Sequence, residues 1–202
     1  LGSTEASRDH LVDLLWANVP VERGRQSLRQ ALWQLRRRLG QGAEIQSGDR
    51  LRLAATVASD VADFLEAVTE QRAADAERIY AGPFFQPFAT PGALEFEHWA
   101  NATGSRLQAA YVRLSERAAA EAVDEGNLDR AITIARRLRD ATPDLQAGWR
   151  LLIDIMRIAG RLPAALLEAD ALEARLALEK HPMEESTARL LAEVRRMPVT
   201  VD

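Results

Sequence analysis

From Ser59 almost to the C-terminus, apolar residues recur with a period of about 3.6, and Ala fills the positions where neighbouring helices would crowd. A chain patterned this way for most of its length folds as packed helices. Composition agrees: 36 Ala and only 5% aromatic residues suit close helix packing and not a β-sandwich. The spacing predicts helices over about 60–71, 73–80, 94–123, 128–141, 145–159, 163–180 and 184–196. Within the third, Thr103-Gly104-Ser105 invites a kink or an interruption. Residues 81–92 carry three prolines, three of the five Phe and no periodicity, and read as a loop pinned by its own aromatics.

The helical stretch contains an internal echo. Gly126-Asn127-Leu128-Asp129-Arg130-Ala131 recurs as Gly160-Arg161-Leu162-Pro163-Ala164-Ala165, with Gly, Leu and Ala each displaced by 34 residues. Thirty-four is the tetratricopeptide period. In the same frame Pro143 follows Ala131 by 12 residues and Trp149 precedes Ala165 by 16, where that repeat places its Pro and its first-helix Trp. The second copy has Ala177 in place of the Pro, with Pro182 five residues later. Helix pairs of tetratricopeptide type are expected, with Gly and Ala at the points of closest approach.

Residues 1–53 differ in kind. The chain's net charge of −4 divides into +3 for residues 1–53 and −7 for the remainder. All basic residues but Lys180 are Arg, a skew that codon usage alone produces, so position carries more weight than richness. Ser7 caps an expected short helix that Pro20 closes, and a second helix is expected from Gly24 to Leu39 with Gly40 as its C′ residue. Glu44-Ile45-Gln46-Ser47 and Arg50-Leu51-Arg52-Leu53 flank Gly48-Asp49, the signal of a β-hairpin with a two-residue turn, type II′ by its leading Gly.

Several function classes are disfavoured. Without cysteine there is no disulfide, thiolate zinc site, iron–sulfur cluster or Cys nucleophile. His10, His98 and His181 lack metal-ligand spacing, and no Walker loop, G-x-G-x-x-G or G-x-S-x-G occurs. Glu184-Glu185 falls at an expected helix N-terminus, where carboxylates favour the dipole. No enzyme, cofactor or metal site is expected. No apolar run approaches a membrane span and no signal peptide is evident, so the expected location is the cytoplasm.

One helix face carries chemistry. At about 100° per residue, Leu28, Leu32, Leu35 and Leu39 form an apolar stripe with Ala31 at its edge. Gln26, Gln30, Trp33 and Arg37 lie opposite, flanked by Arg29 and Arg36. Arg forks onto guanine and Gln onto adenine, so Gln26, Arg29, Gln30, Trp33 and Arg37 suit a major groove. Arg25, Arg36, Arg50 and Arg52 suit phosphates. A solvated face whose Arg stems cover apolar surface is the alternative. Short helix, Pro20 turn, Arg-rich helix and hairpin in that order are the last three parts of a winged helix-turn-helix.

These residues carry a likeness. The runs Ser7–Trp16, Gly24–Gly40 and Gly48–Leu53 resemble the DNA-binding domain of SARP-type bacterial transcriptional activators, whose winged helix is of the OmpR type. Asp60-Val61 with Phe64, Ile79-Tyr80-Ala81-Gly82-Pro83-Phe84, Glu97-His98-Trp99, Ala135-Arg136-Arg137-Leu138 and Pro182 with Glu185-Ser186-Thr187 resemble the bacterial transcriptional activator domain that follows it. The family's winged helix opens with a β-sheet and a first helix ahead of the residues matched here, so only its latter half is represented. The resemblance implies a mainly α fold: half a winged helix-turn-helix over 1–57, then a tetratricopeptide-like domain over 59–198. It implies a sequence-specific regulator, an activator, that binds double-stranded DNA at direct repeats, contacts RNA polymerase and forms a homodimer. The competing expectation is a helical interaction or oligomerisation module that does not bind DNA.

Overall fold

A computed structural model describes residues 5–39, 46–47, 50–52, 58–85 and 93–198. In chain order its elements are β1 (Glu5–Ser7), α1 (Arg8–Trp16), α2 (Val21–Leu39), β2 (Gln46–Ser47), β3 (Arg50–Arg52), α3 (Asp60–Thr69), α4 (Ala73–Ile79), α5 (Leu94–Asp124), α6 (Leu128–Ala141), α7 (Gln146–Ile158), α8 (Leu162–Glu179) and α9 (Glu185–Arg196). The protein is mainly α-helical. Among the described residues no helix is long and apolar enough to cross a membrane. Gly40, the Gly48-Asp49 turn, Glu44, Ile45, Leu53, Pro87, Phe88 and Pro91 lie outside the described residues, as does the side chain of Leu39.

Close contacts divide the chain into a first unit, Leu1–Leu65 with Pro83–Leu107, and a second, Glu66–Gly82 with Gln108–Asp202. The sequence pattern divides instead at 57–59. Periodicity marks where secondary structure changes, whereas units follow packing, and the chain passes between them within α3 and α5.

In the first unit the Ser7 hydroxyl accepts a hydrogen bond from the His10 amide at 3.1 Å and starts α1. Helix α2 begins three residues earlier than the sequence suggests, because the Pro20 carbonyl accepts from the amides of Arg23 (2.9 Å) and Gly24 (3.0 Å). Gly24 is therefore no helix start. A Cβ there would stand 2.6 Å from Val12 Cγ1, so the glycine lets α1 and α2 touch.

The sheet is antiparallel in the order β1-β3-β2. Its hairpin corrects the expected register: Ser47 pairs with Leu51, not Arg50, so three residues separate the innermost pair instead of two. Strand β1, absent from the sequence reading, pairs Glu5, Ala6 and Ser7 with Arg52, Leu51 and Arg50. Three residues are too few for alternation to register. Leu51, central in the sheet, is buried with Val12 and Leu28, and Leu11, Trp16 and Leu32 pack around them.

The first half of α5 also belongs to this unit. Phe84 meets Trp99 edge-on at 5.9 Å and Phe85 meets Phe96 at 5.5 Å, aromatic pinning for the described start of the 81–92 segment. Helix α5 runs unbroken through Thr103-Gly104-Ser105, contrary to the expected interruption. A Cβ on Gly104 would lie 3.5 Å from the Phe84 Cβ, an ordinary contact, so Phe84 packs beside this position without requiring the glycine.

The second unit holds the 34-residue echo. Gly126 and Gly160 adopt φ of +74° and +71°, the left-handed values that end a helix. The Gly126 amide donates to Val123 O and that of Asn127 to Ala122 O; the Gly160 amide donates to Arg157 O and that of Arg161 to Met156 O. Every donor and acceptor is displaced by 34. Trp149 is buried and donates from Nε1 to Pro143 O at 3.1 Å. Gly148 lets α7 lie on α6: a Cβ there would be 2.8 Å from Arg139 Cα. Ala131, Ala135, Ala165 and Ala169 are fully buried beside Leu152, Ile153, Leu172 and Val194.

Two predictions follow from this packing. Gly148→Ala pushes against backbone, so overpacking should cost about 1–3 kcal/mol and lower the urea midpoint. The second concerns Tyr111, which is buried, stacked on Tyr80 at 4.4 Å, and has its phenol pushed up to about 12, mainly by burial and then by the Glu77 carboxylate. Stability from this group is complete below pH 10, where both states stay neutral. It is lost as pH rises toward 12, because the unfolded chain ionises first, by about 2–3 kcal/mol in all. Tyr111→Phe should flatten most of the decline in urea midpoint between pH 10 and pH 12.

Candidate nucleic-acid interface

The buried side of α2 fixes its exposed side. Leu28 is 4% exposed against Val12 and Leu51, and Leu32 packs half-buried beside them. Opposite this contact, Gln26, Arg29, Gln30, Trp33 and Arg37 all reach solvent, with Arg25 and Arg36 at the margins. Trp33 is 58% exposed, and the Arg37 guanidinium sits 5.4 Å from its ring centroid. A cation over an indole is held at modest cost and remains available to an anion.

The expected apolar stripe is covered only in part. Leu35 is 38% exposed and Ala31 is exposed as well, while among the described residues the cluster with α1 and the sheet takes in Leu28 and Leu32.

On β3, Arg50 and Arg52 point away from buried Leu51, as strand alternation requires. The register sets Arg50 opposite Ser7, at the start of α1, and that pairing gathers charge. A cleft of about 560 Å³ is lined by Ser7, Arg8, Asp9, Arg25, Leu28, Arg29 and Arg50. It brings together three of the sequence-assigned arginines, Arg25, Arg29 and Arg50. Gln26, Gln30, Trp33, Arg36, Arg37 and Arg52 are exposed but do not line it.

Arg8 joins the cleft and was missed from sequence. Only β1 brings it beside Arg50, and the one local signal for its placement is the Ser7 cap that precedes it. Within the cleft Arg25 pairs with Asp9 at 3.1 Å and reaches Glu22 at 3.8 Å. Both carboxylates are exposed, so these contacts are weak and compete with any external anion. Among the described residues no group of three or more His, Asp or Glu could hold a metal ion.

A scan against protein-family models finds none that matches the chain, and a search of the curated proteins returns no match.

The limited cover of α2 has a measurable consequence. Leu28→Ala should cost about 2–5 kcal/mol, as for other buried leucines. Leu35→Ala should stay within about 0.5 kcal/mol, as for a surface site. Urea titration of the two variants checks the contrast.

Proposed function

We propose that this chain is part of a cytoplasmic, sequence-specific DNA-binding transcription regulator, an activator of the SARP type. In this reading residues 1–57 are the latter half of a winged helix-turn-helix and residues 59–198 a tetratricopeptide-like domain. Helix α2 reads the major groove through Gln26, Arg29, Gln30, Trp33 and Arg37. Arg25, Arg36, Arg50 and Arg52 hold the phosphate backbone, joined by Arg8 at the cleft. The observation that carries the reading is the exposed Arg/Gln/Trp face of α2, opposite buried Leu28 and beside two outward arginines of a hairpin.

That arrangement suits duplex DNA for physical reasons. A helix bearing forked donors fits the major groove, and a flanking hairpin reaches the backbone beside it. Arg29 and Arg37 make no ion pair among the described residues, so engaging bases breaks no internal ion pair. The acidic helical part repels DNA and is left to contact other proteins. RNA polymerase is the partner proposed for it, with the regulator acting as a homodimer.

Arg29→Ala and Arg37→Ala should each cost about 1–3 kcal/mol in affinity for a duplex selected from a random pool by the full-length protein. Log affinity should fall with log salt by about 0.9 per phosphate contact. Affinity unchanged in both variants removes the base-reading assignment. Absence of duplex binding at every salt concentration leaves the interaction-module reading.

A further inference from the structure

Helix α8 is apolar on two opposite faces. One is buried in the core through Leu162, Ala165, Ala169, Leu172 and Leu176. On the other, Leu167 is 71% and Leu178 84% exposed, and Ala171 and Ala174 between them are exposed too. A helix apolar all round is normally covered all round. The spacing of this outer stripe, i, i+4, i+7, i+11, is that of a coiled-coil seam.

We propose that a second copy of this chain covers the stripe, with the two α8 helices packed antiparallel. The order Leu-x3-Ala-x2-Ala-x3-Leu reads the same in both directions about the midpoint between Leu172 and Glu173. A two-fold axis there sets Leu167 against the partner's Leu178 and Ala171 against the partner's Ala174. A self-complementary patch of this kind is what an isologous dimer requires. The alanines let the helices approach closely while the leucines close the two ends.

Charge complements the same register. Glu168 and Arg175 flank the stripe on one side, and reversal of the helix brings each beside the other's counterpart. On the opposite flank Asp170 faces Ala177, so no like charges are apposed. Within the chain Glu168 already accepts from Arg139 (2.6 Å) and Arg175 donates to Asp144 (2.6 Å), which holds both side chains in place at the rim. The two helix dipoles also oppose each other in this orientation. One pair of helices, each about 27 Å long, buries less than the roughly 800 Å² per partner of a standard interface. The dimer is accordingly concentration-dependent. The surface gives the homodimer of the proposed function its interface and rests on that part of the reading; its test involves no DNA, and dimerisation that survives loss of the stripe would reject this surface while leaving the homodimer standing.

Sedimentation equilibrium of the full chain over a wide concentration range should show a monomer–dimer equilibrium. Leu167→Glu with Leu178→Glu should weaken it at least tenfold while circular dichroism stays unchanged, because both side chains are exposed. The chain has no cysteine of its own, so single thiols report orientation. A mixture of Leu167→Cys and Leu178→Cys chains should couple through a short bis-maleimide, whereas either variant alone should not. Monomer at every concentration overturns the proposal, as does dimerisation that the double variant leaves intact. Coupling of Leu167→Cys chains with one another as readily as in the mixture also overturns it.

Discussion

Small side chains at helix contacts set what this protein can be. Where α7 crosses α6 there is no room for even a methyl group at Gly148, and the neighbouring contacts are filled by Ala131, Ala135, Ala165 and Ala169. Helices held this close lose little volume to voids, so a unit with few aromatics still buries a continuous core. The left-handed turns at Gly126 and Gly160 follow from the same demand. Each reverses the chain within a few residues, satisfies the last carbonyls of the helix it ends, and returns the next helix against its predecessor. Asn127 then caps α6 by accepting from the Arg130 amide.

The first unit works on a smaller scale. Among the described residues its α1–α2–sheet core is three buried side chains, Val12, Leu28 and Leu51, with Leu11, Trp16 and Leu32 around them. A contact that short cannot cover both ends of a 19-residue helix. The N-terminal half of α2 is anchored, and the later turns carry Trp33, Leu35 and Arg37 outward. Trp33 and Arg37 face outward because they lie on the side of the helix opposite Leu28. Gly24 makes the anchorage possible, since any side chain there would strike Val12.

Most helices of the second unit were legible because each end carries its own punctuation. Gly126, Asn127, Gly160 and Pro163 mark ends and starts by backbone conformation, which is a local property, and α6 runs from Leu128 to Ala141 as the pattern predicts. What sequence did not reveal depends on distant partners. Strand β1 is three residues that become a strand only by pairing with β3, and Arg8 enters the cleft only through that pairing. The 38% exposure of Leu35, on the same apolar stripe as buried Leu28, is a property that periodicity does not report. Thr103-Gly104-Ser105 suggested a kink or an interruption because a glycine tolerated inside a packed helix and one that breaks a helix read alike in sequence. For the candidate interface, all nine assigned residues are exposed, but their division between cleft and open helix face required the register of the sheet.

Arginine shows how one side chain takes two roles according to its surroundings. In the acidic helical part, guanidinium groups tie helices together: Arg139 to Glu168, Arg161 to Asp129, Arg175 to Asp144, Arg150 to Glu184, and Arg195 to both Asp170 and Glu173. The first four join residues 29–34 apart, close to the 34-residue spacing of the Gly126 and Gly160 turns. Arg139 and Glu168 are each only 19% exposed, and Arg139 also lies 5.0 Å from the Trp149 ring centroid, so this pair is shielded from solvent as the others are not. Between Arg23 and Arg38 there is no acidic residue; Arg25 pairs instead with exposed Asp9 and Glu22, and Arg29 and Arg37 make no ion pair among the described residues. An arginine enclosed by carboxylates is structural. One that projects from a helix without an acid in reach keeps its charge for whatever approaches from outside.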